Sequence, residues 1–184
     1  MKRIKVYLAG KVSPGSPHVG ESWREEYCGI LNDRTDLGIQ NLNPSRGTAT
    51  YEVDEGDPRA VFGRDCFMIQ QSDVVVVNLT DDISVGGSQE MLIAKYFKKL
   101  LLGIAPVDGK FRKAQAEIRG KKYNDYVHPF VKLPCDAIVD DIEAVGDYLA
   151  TYFRKRRRQV KDIDVIDKSI QYYIDDLLEK SIVQ

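Results

Sequence analysis

An α/β fold built on a parallel sheet is predicted by two observations. Short β-rich apolar runs alternate with helix-period segments along the first hundred residues, the signature of repeated strand–helix–strand units. The run "DVVVVNL" (73–79) carries four consecutive valines, and a strand that is apolar on both faces belongs in the middle of a sheet covered on both sides. Together they imply a flavodoxin-like (Rossmann-like) parallel sheet with helices on both faces. Two further helical segments form a C-terminal helical extension.

The elements follow in order. "IKVYLAG" (4–10) is a β-rich run that ends in glycine and so enters a loop. "KVSPGSPHVG" (11–20) is longer than an ordinary strand-to-helix connection, which favours a functional loop, and "SPGSPHVGESWRE" (13–25) could act as a lid over a ligand. In "ESWREEYCGILN", Trp23, Tyr27, Ile30 and Leu31 recur at helical spacing, and Trp23 reads better as a core anchor than as a base-stacking platform. "LGIQNL" (37–42) is a second strand, and the polar stretch 43–58 is a loop whose Pro58 suits the first position of the next helix. That helix offers Val61, Cys66, Met68 and Ile69 for burial. After the valine strand, "SQEMLIAKYFKK" is a helix with Met91, Leu92, Ala94 and Phe97 facing inward, and "LLLGIAPV" (100–107) is the next strand. Residues 108–134 are expected to form a short helix and then irregular chain, and "CDAIVDD" a last short strand. The remaining segments, 142–160 and 162–182, both read as helices. The second is strongly amphipathic through Ile163, Ile166, Ile170, Ile174 and Leu177, a stripe suited to a homo-oligomer interface.

Bulk properties bound the function. The chain has 184 residues, 43% hydrophobic and 30% charged, which fits one domain (1–184) with a catalytic core at 1–140 and C-terminal helices at 141–184. A net charge of −1 creates no global field that would recruit nucleic acid or a membrane. The basic run Arg154–Arg158 lacks the interleaved aromatics of a nucleic-acid platform and reads as a solvated face or subunit contact. Cys28, Cys66 and Cys135 are odd in number and fit neither a zinc spacing nor a disulfide framework, as expected of reduced thiols in the cytoplasm. With two histidines, His18 and His128, no metal site is expected, and no organic cofactor is implied. No stretch has the apolar length of a membrane span.

In sheets of this type, ligands bind beyond the carboxyl ends of the strands near the switch in strand order. That rule selects the loops that follow Tyr7, Leu79 and Ile104. The second is "DDISVGGSQEMLIAK" (81–95), in which Gly86 and Gly87 allow close backbone approach and Glu90 is expected in the first turn of a helix, its anion favoured by the helix N-terminus. A fixed, ionised carboxylate in a pocket is a candidate nucleophile. Tyr7 can orient it, and Asp65 is a candidate second acid for leaving-group protonation, the two-carboxylate logic of glycoside cleavage. Taken singly, each has a structural explanation: a helix-favouring glutamate, a solvated aspartate, a core-edge tyrosine and a turn. Only their joint placement on one sheet edge points to chemistry.

"VYLAG" (6–10), "RDCFMIQQSDVVVVNL" (64–79) and "SVGGSQEMLIAK" (84–95), in that order, resemble the nucleoside 2-deoxyribosyltransferase family, which includes related 2'-deoxynucleoside 5'-monophosphate N-hydrolases. The likeness spans roughly the first 110 residues. It implies that Glu90 attacks the anomeric carbon of the sugar, that Tyr7 holds Glu90, and that Asp65 acts as acid/base or orients the substrate. Gly10, Ser84, Gly86, Gly87 and Ser88 would shape the sugar or phosphate site. The implied partners are a small nucleoside or nucleotide and, as in the family, other copies of the chain. Where the transferases carry a second acid in the glycine loop this chain has Ser84, a resemblance to the monophosphate hydrolases. Base exchange is set first and hydrolysis second. A phosphoribohydrolase on a similar sheet would carry a "PGGxGT" loop, of which "SVGGS" lacks the proline and the threonine. A non-catalytic nucleotide-binding module remains the third reading.

Overall fold

In the computed structural model, which describes residues 3–10, 22–43, 56–155 and 159–178, strands and helices alternate through residue 104. Strand β1 (Arg3–Ala9) leads to helix α1 (Ser22–Arg34), β2 (Gly38–Leu42), α2 (Pro58–Gln71), β3 (Val74–Asn78), α3 (Val85–Tyr96) and β4 (Leu100–Ile104). A hairpin, β5 (Arg112–Ile118) and β6 (Lys121–Val127), and a one-turn helix α4 (Pro129–Lys132) come next. The chain then returns to the sheet as β7 (Ala137–Val139) and continues through α5 (Ile142–Tyr152) and α6 (Val165–Tyr173), which ends in a π turn, Ile174–Leu178.

The main sheet is five-stranded and parallel, in the order β2-β1-β3-β4-β7. This is the flavodoxin-like order, with its switch point between β1 and β3. Helices cover both faces: α1 and α5 on one, packed over Ile4, Val6, Leu8, Val74 and Val76, and α2 and α3 on the other, packed over Tyr7, Val75 and Val77. The four valines of β3 are each at most 1% exposed. Burying a valine side chain fully contributes about 1.5–3 kcal/mol, so this strand anchors both layers at once.

Local signals fix the helix ends. Asp57 caps α2 by accepting hydrogen bonds from the main-chain N–H groups of Arg59 and Ala60, and Pro58 occupies the first turn, where a missing N–H costs nothing. Ser84 caps α3 by accepting from Gly87 N–H at 3.0 Å.

Several expectations need correction. Residues 108–134 do not open with a helix. They form the antiparallel hairpin, turned by Arg119 and Gly120, both at positive φ. Its strands are mostly exposed, so no alternating core face marked them in the sequence. Helix α3 starts at Val85 rather than Ser88, which places Gly86 and Gly87 inside its first turn and Glu90 in its second. On the same helix Leu92 points outward, 43% exposed, while Lys95 is fully buried. Helix α5 stops at Tyr152, and the last helix is split between an α and a π segment. Most of the expected lid (13–25), with His18, lies outside the described residues, as do most of the 43–58 loop and Arg156–Arg158 of the basic run; the end of the lid segment, from Ser22, is the start of α1.

Asp136, just before β7, explains how the C-terminal extension is attached. Its carboxylate accepts from Lys95 Nζ at 2.5 Å and from the N–H groups of Leu101 and Lys161, both at 2.7 Å. Lys161 Nζ in turn donates to the carbonyls of Lys132, Leu133 and Cys135. From this tether α6 runs along an apolar cavity of about 670 Å³ whose walls include Met91, Phe111, His128, Val131, Ile166 and Ile170. No helix among the described residues is long and apolar enough to cross a membrane.

Candidate active site

Three elements meet at the carboxyl edge beside the switch point. Strand β1 supplies Tyr7, whose ring is 1% exposed among the core side chains on the α2–α3 face. Helix α3 supplies Glu90, and Tyr7 Oη donates to Glu90 Oε1 at 2.7 Å across 83 residues of sequence. Helix α2 supplies Asp65, whose Oδ1 accepts from the neighbouring Arg64 Nε at 2.9 Å.

Burial pushes the Glu90 carboxyl above the ordinary range; the Tyr7 hydrogen bond pulls it back, Asp65 raises it and Arg24 lowers it. The expectation that the helix N-terminus would favour the anion is thereby corrected: Glu90 sits a turn too deep for the dipole to act at full strength, and desolvation dominates. The Tyr7 phenol is driven well above its usual value by burial, with the Glu90 and Asp65 charges adding to it. It therefore stays protonated and donates. Burial, Asp65 and Glu90 together also raise the Cys66 thiol. Glu90 and Asp65 thus act on one another at this edge, with Arg64 bonded to Asp65.

Arg24, on the first turn of α1, enters from the other side of β1. It is 4% exposed, its Nε donates to Leu8 O at 3.0 Å and its Nη2 to Gly10 O at 3.2 Å. Sequence inspection missed it, because one arginine within "ESWREEY" reads as part of a solvated helix face.

No family model matches the sequence, and no curated protein matches it. Solved structures do match the fold. A 2-desoxiribosyltransferase from Leishmania mexicana superposes with a TM-score of 0.57 at 17% identity, over 81% of this chain and 98% of that one. A 2-deoxyribosyltransferase from Bacillus psychrosaccharolyticus gives 0.51 at 18%, over 78% and 91%. A conserved protein from Enterococcus faecalis V583 gives 0.57 at 16%, over 81% and 98%. The fold is that of the 2-deoxyribosyltransferases.

On this 2-deoxyribosyltransferase fold the expected residues fall into two groups. Tyr7 and Glu90 are in contact, and the Asp65 charge acts on both. Gly10 and Gly86 line the same edge: a Cβ on Gly10 would lie 3.1 Å from ring carbons of Trp23, and one on Gly86 3.9 Å from Glu90 Oε1. Trp23 itself is half-buried, edge-on to Tyr27.

The other expected residues are engaged in the helix start. Gly87 is buried, and its N–H binds the Ser84 hydroxyl oxygen. Ser88 Oγ donates to Val85 O and is exposed. Accepting from Gly87 leaves the Ser84 hydroxyl its own proton to donate. The apolar cavity beside α6 is lined by Ser88 but not by Tyr7, Asp65 or Glu90. Among the described residues no cluster of ligands could hold a metal.

Proposed function

We propose that the chain cleaves the N-glycosidic bond of deoxynucleosides by a double displacement through Glu90. The Tyr7–Glu90 hydrogen bond carries the proposal: it holds one oxygen of a partly buried carboxylate in place on the fold of the 2-deoxyribosyltransferases. The Glu90 carboxylate attacks the anomeric carbon. The bond to the base nitrogen breaks with its electrons going to the base, and a glycosyl ester forms. Asp65 is the acid/base of this reading, giving a proton to the departing base nitrogen and taking one back from the incoming base, or else orients the substrate. A second base then attacks the same carbon, restoring the carboxylate and giving a new nucleoside. Where water takes that place, the outcome is hydrolysis. The spare proton of Ser84 at the start of α3 supports a second reading, hydrolysis of 5'-monophosphates, with the serine donating to the phosphate.

Chromatography of free bases tests both. Deoxynucleosides and deoxynucleoside monophosphates are incubated with and without an added base, beside Glu90→Ala. A new nucleoside carrying the added base is the expected result. Loss of the nucleophile is expected to cost at least about 10⁴-fold. Base released from monophosphates alone would favour the second reading. A wild type indistinguishable from Glu90→Ala on every substrate would leave a nucleotide-binding module.

We also propose that the exposed stripe of Ile166, Ile170, Ile174 and Leu177 packs against another copy of the chain. Sedimentation of Ile170→Glu is expected to show a smaller species than the wild type.

A further inference from the structure

We propose that Arg24 is a positioning residue of the Tyr7–Glu90 pair: its guanidinium clamps the chain end that carries Tyr7 and supplies the positive charge that offsets the acids beside it. The inference rests on the role proposed for Glu90.

The geometry is specific. Arg24 hydrogen-bonds Leu8 O and Gly10 O, the carbonyls that immediately follow Tyr7 on β1 and end the strand. Its guanidinium stands 4.4 Å from the centroid of the Trp23 ring, and that ring fills the space a Gly10 side chain would need. The end of β1 is thus held from one side by a planar cation and its stacked indole. A displacement there moves the Tyr7 hydroxyl, and with it the fixed oxygen of Glu90.

Among the described residues, the hydrogen bonds of Arg24 run to main-chain carbonyls rather than to a carboxylate. A buried cation is costly without anions nearby. Burial works against the Arg24 charge, and the Glu90 and Asp65 carboxylates across the strand offset part of that cost. The groups facing Glu90 are Tyr7 from β1, Arg24 from α1 and Asp65 from α2, the last with Arg64 bonded to it and Cys66 alongside. Arg24 counters both the desolvation and the Asp65 repulsion acting on Glu90. A lysine keeps that charge; glutamine and methionine do not.

The test reads the Glu90 carboxyl directly. Carboxyl ¹³C resonances of labelled protein, with Glu90 assigned through Glu90→Gln, are titrated in the wild type, Arg24→Lys, Arg24→Gln and Arg24→Met. Removal of the charge is expected to raise the Glu90 midpoint by about one pH unit, the size of a nearby-charge effect, with Arg24→Lys close to the wild type. The acid limb of the base-exchange pH profile is expected to move by the same amount. A Glu90 midpoint unchanged in a folded Arg24→Gln or Arg24→Met protein overturns the inference, since loss of either the positive charge or a well-placed Tyr7 hydrogen bond would raise it. Glutamine keeps a donor for the carbonyls if methionine does not fold. A wild type without turnover defeats the proposed function but leaves the titration readable, so the two failures are distinct.

Discussion

Glu90 and Lys95 are five residues apart on α3, both charged, both withdrawn from water, and held in opposite ways. Lys95 is fully buried, and Nζ donates to Asp136 Oδ2 at 2.5 Å, Lys99 O at 2.8 Å and Lys161 O at 3.2 Å. All three of its protons are used, and each oxygen of Asp136 has its own donors. Among the described residues, Glu90 accepts a hydrogen bond from Tyr7 and has a like charge on Asp65 acting against it. Lys95, with every bond satisfied, is a structural charge; under the proposed function Glu90 is the one that keeps bonding capacity for a substrate. One helix carries both, so the saturated end can hold the unsaturated end in place.

Breaking the saturated end is expected to have the largest effect. Asp136→Asn leaves Lys95 buried without a counter-charge and is expected to cost about 3–5 kcal/mol, read as the drop in unfolding free energy by urea titration. If the loss is under about 1 kcal/mol, the pair is no better than a surface ion pair and the contrast with Glu90 weakens. At the other end, Tyr7→Phe removes a hydrogen bond to a charged group, worth about 1.5–3 kcal/mol. Base exchange is expected to fall by about 10- to 100-fold while the fold is retained, as kcat and circular dichroism will tell.

The smallest effect sharpens the comparison most. The folded Glu90 carboxyl lies above its unfolded value, so the unfolded chain gives up this proton first as pH rises. The associated stability is present below the ordinary carboxylate range and is lost through the raised value. Glu90→Gln can still accept from Tyr7 and carries no charge. It is expected to unfold about 1 kcal/mol later than the wild type at neutral pH, a gain that vanishes in acid where Glu90 is protonated in both states. Thermal melts across pH check the sign; a destabilised Glu90→Gln at neutral pH would mean the ionised form is the better fit.

The same contrast explains what the sequence could tell. Four adjacent valines and alternating helix-period segments announce a covered parallel sheet because burial dictates residue type there. The hairpin β5–β6 escaped notice because both its strands face water and apolar alternation is lost. Glu90, Tyr7 and Asp65 stand out by their expected place at the carboxyl edge of the sheet and by motifs in order along the chain, and the structure brings Tyr7 and Glu90 into contact. Arg24 and Lys95 do not stand out, since a lone basic residue on a helix ordinarily points to solvent and only tertiary contact turned these two inward. The offset of α3, which moved Glu90 out of the first turn, arose because two glycines look like loop yet follow a capping serine into helix.

The tether at Asp136 has a practical corollary for anyone who cuts or splices this chain. Lys161 closes the Asp136 carboxylate with its main-chain N–H and caps three carbonyls with its side chain. A shortened version ending near Tyr152 would therefore strip donors from the heart of the fold, although the boundary looks like the end of a helix. A version ending just after Lys161 keeps the knot and sheds only the outer helix, which makes that junction the place to attach a tag or a second module.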